Sequence, residues 1–165
     1  YILMAYVDSH EYDRGIALAE ESLALFPNEA TLYSVLTQFY ALKGMPKEAI
    51  DAGLKHKELT KGPGTIALAR AYTLAGEPAK AREVLSAIVT RAKERYTTAA
   101  WAPALWGLMV AYAELGEKDK AFECLNTAFE RRHPNIFVLR CWPFLDNIHS
   151  DPRFAALLKK VGLEK

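Results

Sequence analysis

Leu108–Ala121, LMVAYAELGEKDKA, carries a Tyr at 112, a Gly at 116 and an Ala at 121. The same frame recurs upstream as Tyr40, Gly44, Ala49 and as Tyr72, Gly76, Ala81. A weaker copy opens the chain with Tyr6, His10, Gly15. The small residues Gly15, Ala49, Ala81 and Ala121 follow one another at 34, 32 and 40 residues, each nine residues after its Tyr. Four residues before each Tyr stands an aliphatic side chain: Ile2, Leu36, Leu68, Leu108. A period of about 34 residues marks an array of supersecondary units that bury their apolar faces only by stacking on one another.

Each unit reads as two helices. In the second, Leu32, Leu36, Phe39 and Tyr40 fall at helical spacing, and Gly44 can turn left-handed past a helix end. Pro46 then suits the first position of the next helix, whose apolar face continues through Ala49, Ile50, Gly53 and Leu54. The third repeats the device with Gly76 and Pro78, then Ala81, Val84, Leu85, Ile88 and Val89. The fourth has Gly116, then Ala121, Phe122, Leu125, Ala128 and Phe129. In the first, Ile16, Ala19, Leu23 and Phe26 form the second helix, ended by Pro27-Asn28. The units span 1–29 (truncated at its start), 30–61, 62–95 and 102–132, with 96–101 inserted between the last two. The third unit's second helix is expected to run on through Arg91, Lys93 and Arg95, with Tyr96 to Pro103 linking it to Trp106. The small residues let paired helices approach closely, and the Tyr ring fills the wedge beside the contact. Eight repeat helices are expected, and Ala81→Leu or Ala121→Leu should destabilise by overpacking.

Residues 133–165 form a different, capping segment. His133-Pro134-Asn135 breaks the last repeat helix, Ile136 to Cys141 is apolar, and Trp142-Pro143-Phe144-Leu145 reads as a short helix or turn. Ser150-Asp151-Pro152-Arg153 is a helix start, with Phe154, Leu157, Leu158 and Val161 on one face and Gly162 as the stop. A stack of helix pairs needs its exposed end covered, and this helix would do so.

The 165 residues, 51% hydrophobic and 25% charged, are ordinary for a globular chain, and a net charge of +1 gives no global pull towards nucleic acid or acidic lipid. Tyr96 to Ala113 is free of charge and long enough to span a bilayer, but Thr97, Thr98, Pro103 and Gly107 and the repeat register favour a buried helix with its lead-in. No signal peptide is legible, and a start at Tyr1 in mid-helix suggests a fragment of a longer protein. Cys124 and Cys141 have neither metal-ligand nor redox spacing; reduced, buried thiols and a cytoplasmic location are expected.

With that frame, the chain resembles a tetratricopeptide repeat domain over residues 1–132, which implies an all-α, right-handed superhelical solenoid. The strings YAELGEKDKAFECLNTAFERRHP (112–134) and PFLDNIHSDPRFAALLKKVGL (143–163) resemble the C-terminal end of bacterial multidomain signalling proteins. There such a tail follows a winged-helix transcription activator, nucleotide cyclase or Ser/Thr kinase domain. The family resemblance implies that the first helix of each unit lines a concave groove for a partner's segment. By register the groove would take Met4 and Asp8, then Ser34, Gln38 and Ala41, then Ile66, Arg70 and Thr73, then Trp106, Val110 and Ala113. Chaperone-binding members grip a terminal carboxylate with a Lys/Asn pair; Ser34 and Gln38 stand at those positions here. A mostly apolar groove with one cation suits an amphipathic or apolar segment.

Other constellations favour structural roles. His10, His56, His133 and His149 make no ligand pattern, so no metal or cofactor is expected. Lys61-Gly62-Pro63-Gly64 lacks a phosphate-loop pattern, no nucleophile elbow is present, and Glu114, Glu117 and Asp119 read as solvated turn carboxylates, so no catalysis is expected. The basic clusters Arg91/Lys93/Arg95, Arg131/Arg132 and Lys159/Lys160 lie in last turns of expected helices, while Glu11, Glu48, Glu77, Glu117 and Asp151 lie near starts, the order the helix dipole favours. Trp101 and Trp142 read as packing residues, and Trp106 as core or as a groove anchor. The functional expectation is a non-catalytic module that binds a protein or peptide segment, without nucleic-acid or membrane contact, and serves a larger regulatory protein. An alternative is a small-molecule sensor with its pocket beside the aromatic-rich Tyr96–Trp106 segment, gating an upstream effector.

Overall fold

The computed structural model describes residues 11–96, 101–133, 135–141 and 145–163. Among these the chain forms nine α-helices, one 3-10 helix and no strand. The α-helices are α1 (Tyr12–Leu25), α2 (Ala30–Leu42), α3 (Pro46–Thr60), α4 (Ile66–Leu74), α5 (Pro78–Tyr96), α6 (Trp101–Glu114), α7 (Lys118–Glu130), α8 (Asp146–His149) and α9 (Pro152–Val161), with the 3-10 helix at Ile136–Cys141. Seven of the eight expected repeat helices are α1–α7; the first, with Met4, Tyr6, Asp8 and His10, lies outside the described residues. The chain divides within α5 into two compact units, the first ending at Val84 and the second starting at Leu85.

One turn is made three times. Gly44, Gly76 and Gly116 follow α2, α4 and α6 with φ of 71°, 76° and 76°, a conformation that costs other residues about 1–2 kcal/mol. Each lets the next residue's N–H reach back to the repeat tyrosine: Met45 to the Tyr40 carbonyl at 2.9 Å, Glu77 to Tyr72 at 2.8 Å, Glu117 to Tyr112 at 2.9 Å. The glycine N–H groups bond Ala41, Thr73 and Ala113, completing the paired closure that satisfies orphan carbonyls at a helix end. Arg132 (φ 51°) closes α7 with the same two bonds and no glycine.

In the first unit α2 packs on α1, α3 and α4, and α3 packs on α4. Phe39 of α2 fills a cluster with Ile16, Ala19, Leu36 and Ala52. Its ring crosses so close to α1 that a Cβ on Gly15 would stand 2.5 Å from Phe39 Cζ. Ala41, Ala49 and Ala71 meet in a second cluster against which Tyr40 packs, the wedge expected of a tyrosine beside short side chains. The Tyr40 hydroxyl donates to Glu20 at 2.6 Å, tying α2 to α1, as does an ion pair from Lys43 to Asp13. Thr65 caps α4, its hydroxyl accepting from Leu68 N at 3.1 Å.

In the second unit α6 packs on α7 and on the short α8. Residues 104–106 and 108–113 are all buried, as a helix apolar on every side requires. No described helix is long and apolar enough to cross a membrane. The link expected from Tyr96 to Pro103 is shorter: α5 runs to Tyr96 as anticipated, but α6 starts at Trp101, with Pro103 in the first turn, where an N–H is not needed. The tail wraps the α6–α7 pair. Asn147 donates its side-chain amide to the Ala113 carbonyl, and α9 buries Phe154 and Leu157 while packing on α7, α8 and the 3-10 helix. Asp151 caps α9 by accepting from Arg153 N at 3.0 Å, and Gly162 ends it. Trp142, Pro143 and Phe144 lie outside the described residues.

Candidate functional site

Five of the expected groove residues come from two packed helices of the first unit. Ser34 and Gln38 are four apart on α2; Ile66, Arg70 and Thr73 are four and three apart on α4. Such spacings put each set on one helix face. Ser34, Gln38, Ile66 and Arg70 are half-buried, Thr73 is exposed, and its hydroxyl donates to the Ala69 carbonyl at 3.2 Å. Leu74, 49% exposed, extends the α4 stripe, whereas the half-buried Val35 and Leu42 pack against the Ile16–Phe39 cluster. The stripes are partly open because the core takes the other faces: Leu36, Thr37, Phe39 and Ala41 on α2, and Ala67, Leu68, Ala69, Ala71 and Tyr72 on α4.

Four further groove positions are buried, and Met4 and Asp8 lie outside the described residues. Val110 is 1% exposed, Ala41 and Ala113 are buried, and Trp106, 9% exposed, lies in the core of the second unit. The Trp106 indole stacks on the buried His133 imidazole, with ring centroids 5.2 Å apart and planes at 22°. A partner segment has no access to these side chains.

Charge is distributed by helix. The α2, α4 and α6 segments carry two charged side chains in 36 residues, Arg70 and Glu114, whereas α3, α5 and α7 carry eighteen in 47. One ion-pair arrangement recurs at the starts of α5 and α7. Lys80 pairs with Glu77 and sits 5.5 Å above the Tyr72 ring; Lys120 pairs with Glu117 and sits 5.4 Å above the Tyr112 ring. This duplicated Tyr–Glu–Lys set was legible as a Glu five and a Lys eight residues after each Tyr, and the repeat reading missed it.

Arg153 makes a second cluster. Its Nε and Nη2 donate to the two oxygens of Asp151 at 3.0 and 2.9 Å, and its Nη1 donates to Asp119 at 2.7 Å. The guanidinium lies 4.2 Å from the Phe122 ring centre. Hydrogen bonds from Arg153 hold the Asp151 carboxyl down at about 2. An open depression lined by Gly116, Glu117, Lys118, Asp119, Lys120 and Arg153 lies beside it. With its donors turned onto two carboxylates, Arg153 fastens α9 to α7. Nothing in the sequence frame marked this contact, which spans 34 residues.

The catalytic vocabulary is sparse among the described residues. Burial pushes the Cys124 thiol up to about 11, so at neutral pH it is not the nucleophilic thiolate. His133 Nδ1 accepts from Asn135 N at 3.0 Å, and no group of three or more His, Cys, Asp or Glu that could hold a metal occurs there. The Tyr96–Trp106 segment of the sensor alternative falls largely outside the described residues and side chains. Comparison with protein-family models, with curated proteins and with solved structures gave no match.

Proposed function

We propose that this chain is a non-catalytic protein-interaction module: a right-handed superhelical stack of tetratricopeptide-type helix pairs with a C-terminal capping helix. It docks a segment of another protein on the face formed by Ser34, Gln38, Ile66, Arg70 and Thr73. The observation that carries this reading is the segregation of charge by helix. A helix surface kept in water is ordinarily charged, as those of α3, α5 and α7 are. The α2–α4 face is nearly uncharged yet keeps Leu74 and Thr73 exposed and Gln38 and Ile66 half-exposed. Uncharged, partly apolar surface that the fold itself leaves uncovered is the composition of a protein-binding patch. The tail's resemblance to bacterial multidomain regulators supports placing the module at the C-terminal end of such a protein, serving its effector domain.

The test is a selection from a random peptide library displayed on phage, followed by binding of the enriched pool to variants. Gln38→Glu with Ile66→Asp puts two charges on the face, and Lys47→Glu on exposed α3 is the control. The pool should bind wild type and control equally and lose at least about tenfold on the double variant, a loss of about 1.4 kcal/mol. Equal binding to a folded double variant, shown by circular dichroism, overturns the assignment.

A further inference from the structure

His56 stands in the middle of the face that α3 turns to its neighbours. It follows Ala49, Ala52 and Gly53 by seven, four and three residues, spacings that share one side of a helix. Ala49 meets Ala41 of α2 and Ala71 of α4, and Ala52 joins the Phe39 cluster. The Gly53 backbone runs so close to α4 that a Cβ there would stand 2.8 Å from Leu68 Cδ1. One turn on, the His56 imidazole is half-buried, and its Nδ1 is shut off from solvent with no hydrogen-bond partner among the described residues. Protonation makes both ring nitrogens donors and brings a positive charge to that atom, which is costly where no acceptor or anion meets it.

Among the described residues, the neighbours offer cations and exposed carboxylates. The helices packed on α3 are α2 and α4; α2 carries no Asp, Glu, Lys or Arg, and α4 carries only Arg70. On α3 itself Lys55 and Lys57 flank the ring, and the exposed Glu58 is paired with Lys55 at 3.0 Å. Glu48 and Asp51 are exposed, about 12 and about 7.5 Å away along the helix axis. Lys61 follows in the link to α4. Val84 of α5 reaches that link, 3.3 Å from where a Cβ on Gly64 would stand, and Lys80, Arg82 and Glu83 beside it on α5 are exposed. Burial accordingly holds the imidazole below the ordinary histidine value.

We infer that His56 is an acid-operated switch of the α3–α4 contact: taking up a proton opens that contact, and losing the proton lets it close. The open form binds the proton near the solvated value of about 6.5 and the closed form only at lower pH. The contact is therefore at full strength above about 6.5 and weakens as pH falls below it. Between about pH 7.5 and about pH 5 the open fraction rises at most about thirtyfold, the limit set by a closed form that takes up no proton.

The test is amide hydrogen exchange of α3 and α4 at about pH 7.5 and about pH 5, expressed as protection factors so that the intrinsic pH dependence of exchange cancels, in wild type and in His56→Leu. Protection in wild type should fall at least about threefold in acid, and in the variant less than about 1.5-fold. In the wild-type chain the His56 imidazole, followed by NMR and assigned through its own backbone resonances, should titrate below about 6.5, a readout that stands even where His56→Leu does not fold. A midpoint at or above about 6.5, wild-type protection that acid leaves unchanged, or an equal acid loss in a folded His56→Leu would each overturn the switch.

Discussion

Replacing glycine by alanine inside α3 and inside α6 should move stability in opposite directions. In either helix interior the change gains about 0.8–1.0 kcal/mol of helix propensity. At Gly53 the new Cβ would stand 2.8 Å from Leu68 Cδ1, 3.0 Å from its Cβ and 3.2 Å from its Cγ. Carbon atoms in contact rest at about 3.5–4.0 Å. Leu68 is fully buried, and its Cβ is fixed to the α4 backbone, so the side chain cannot swing away. The seam between α3 and α4 must instead open by about 0.5–1 Å, forfeiting roughly a quarter to a half of each contact along it. Overpacking of this kind costs about 2–3 kcal/mol, which outweighs the propensity gain and leaves a net loss of about 1–2 kcal/mol. At Gly107 nothing lies within 4 Å of the added atom, so the gain of about 1 kcal/mol stands. Thermal unfolding followed by far-ultraviolet circular dichroism measures both. The melting temperature should fall by about 2–8 °C for Gly53→Ala and rise by about 2–4 °C for Gly107→Ala. A Gly53→Ala protein as stable as wild type would refute the close approach of α3 and α4.

Arg132→Gly should stabilise the end of α7 by about 1 kcal/mol, read as a raised urea midpoint, because Arg132 holds φ at 51° in a position its sister turns give to glycine. An unchanged midpoint would show that the arginine side chain offsets the backbone cost. The Asp151 carboxyl, held at about 2, should titrate there by NMR. Its contribution to holding α9 is complete above its unfolded value of about 3.9 and is lost as pH falls through about 2. Amide exchange in α9 should therefore accelerate selectively near pH 2, and Arg153→Ala should raise the titration part of the way towards about 3.9, the backbone N–H of residue 153 still donating to the carboxylate. The Tyr40 hydroxyl is pushed up to about 12, first by burial and then by its bond to the Glu20 carboxylate. Its contribution is complete below about 10 and is lost as pH rises through about 12. Absorbance at the phenolate band should show a late-ionising step that Glu20→Gln brings earlier; an unmoved curve would contradict the Tyr40–Glu20 bond.

Local rules made much of the helical order readable from sequence. The three glycine turns followed from spacing, since a left-handed residue after an apolar stripe has few alternatives to glycine. The α9 start followed from Asp151-Pro152, and its buried face from Phe154 and Leu157. The extension of α5 followed from an insertion of about two helical turns without a break residue. Tertiary partners could not be read the same way. Trp106 suited a core only slightly better than a groove, and the partner that decides it, His133, lies 27 residues on and stacks against it. Val110 and Ala113 share the register of Arg70 and Thr73 but sit in a helix buried all round, because α8 and Asn147 of the tail close over α6. Arg153 joins Asp119 and Phe122 through three-dimensional proximity that no period encodes. The uncharged character of α2 and α4 was present in the composition of each segment, but it acquires meaning only once both ends of every helix are known.

Binding of a partner to the α2–α4 face is tested most directly by NMR amide shift mapping of the isotope-labelled chain with an enriched peptide. The largest shift changes should follow the two stripes, at Ser34 and Gln38 and at Ile66, Arg70, Thr73 and Leu74. Changes concentrated on the charged faces of α3 and α5, or around Arg153 and α9, with the two stripes unmoved, would contradict it.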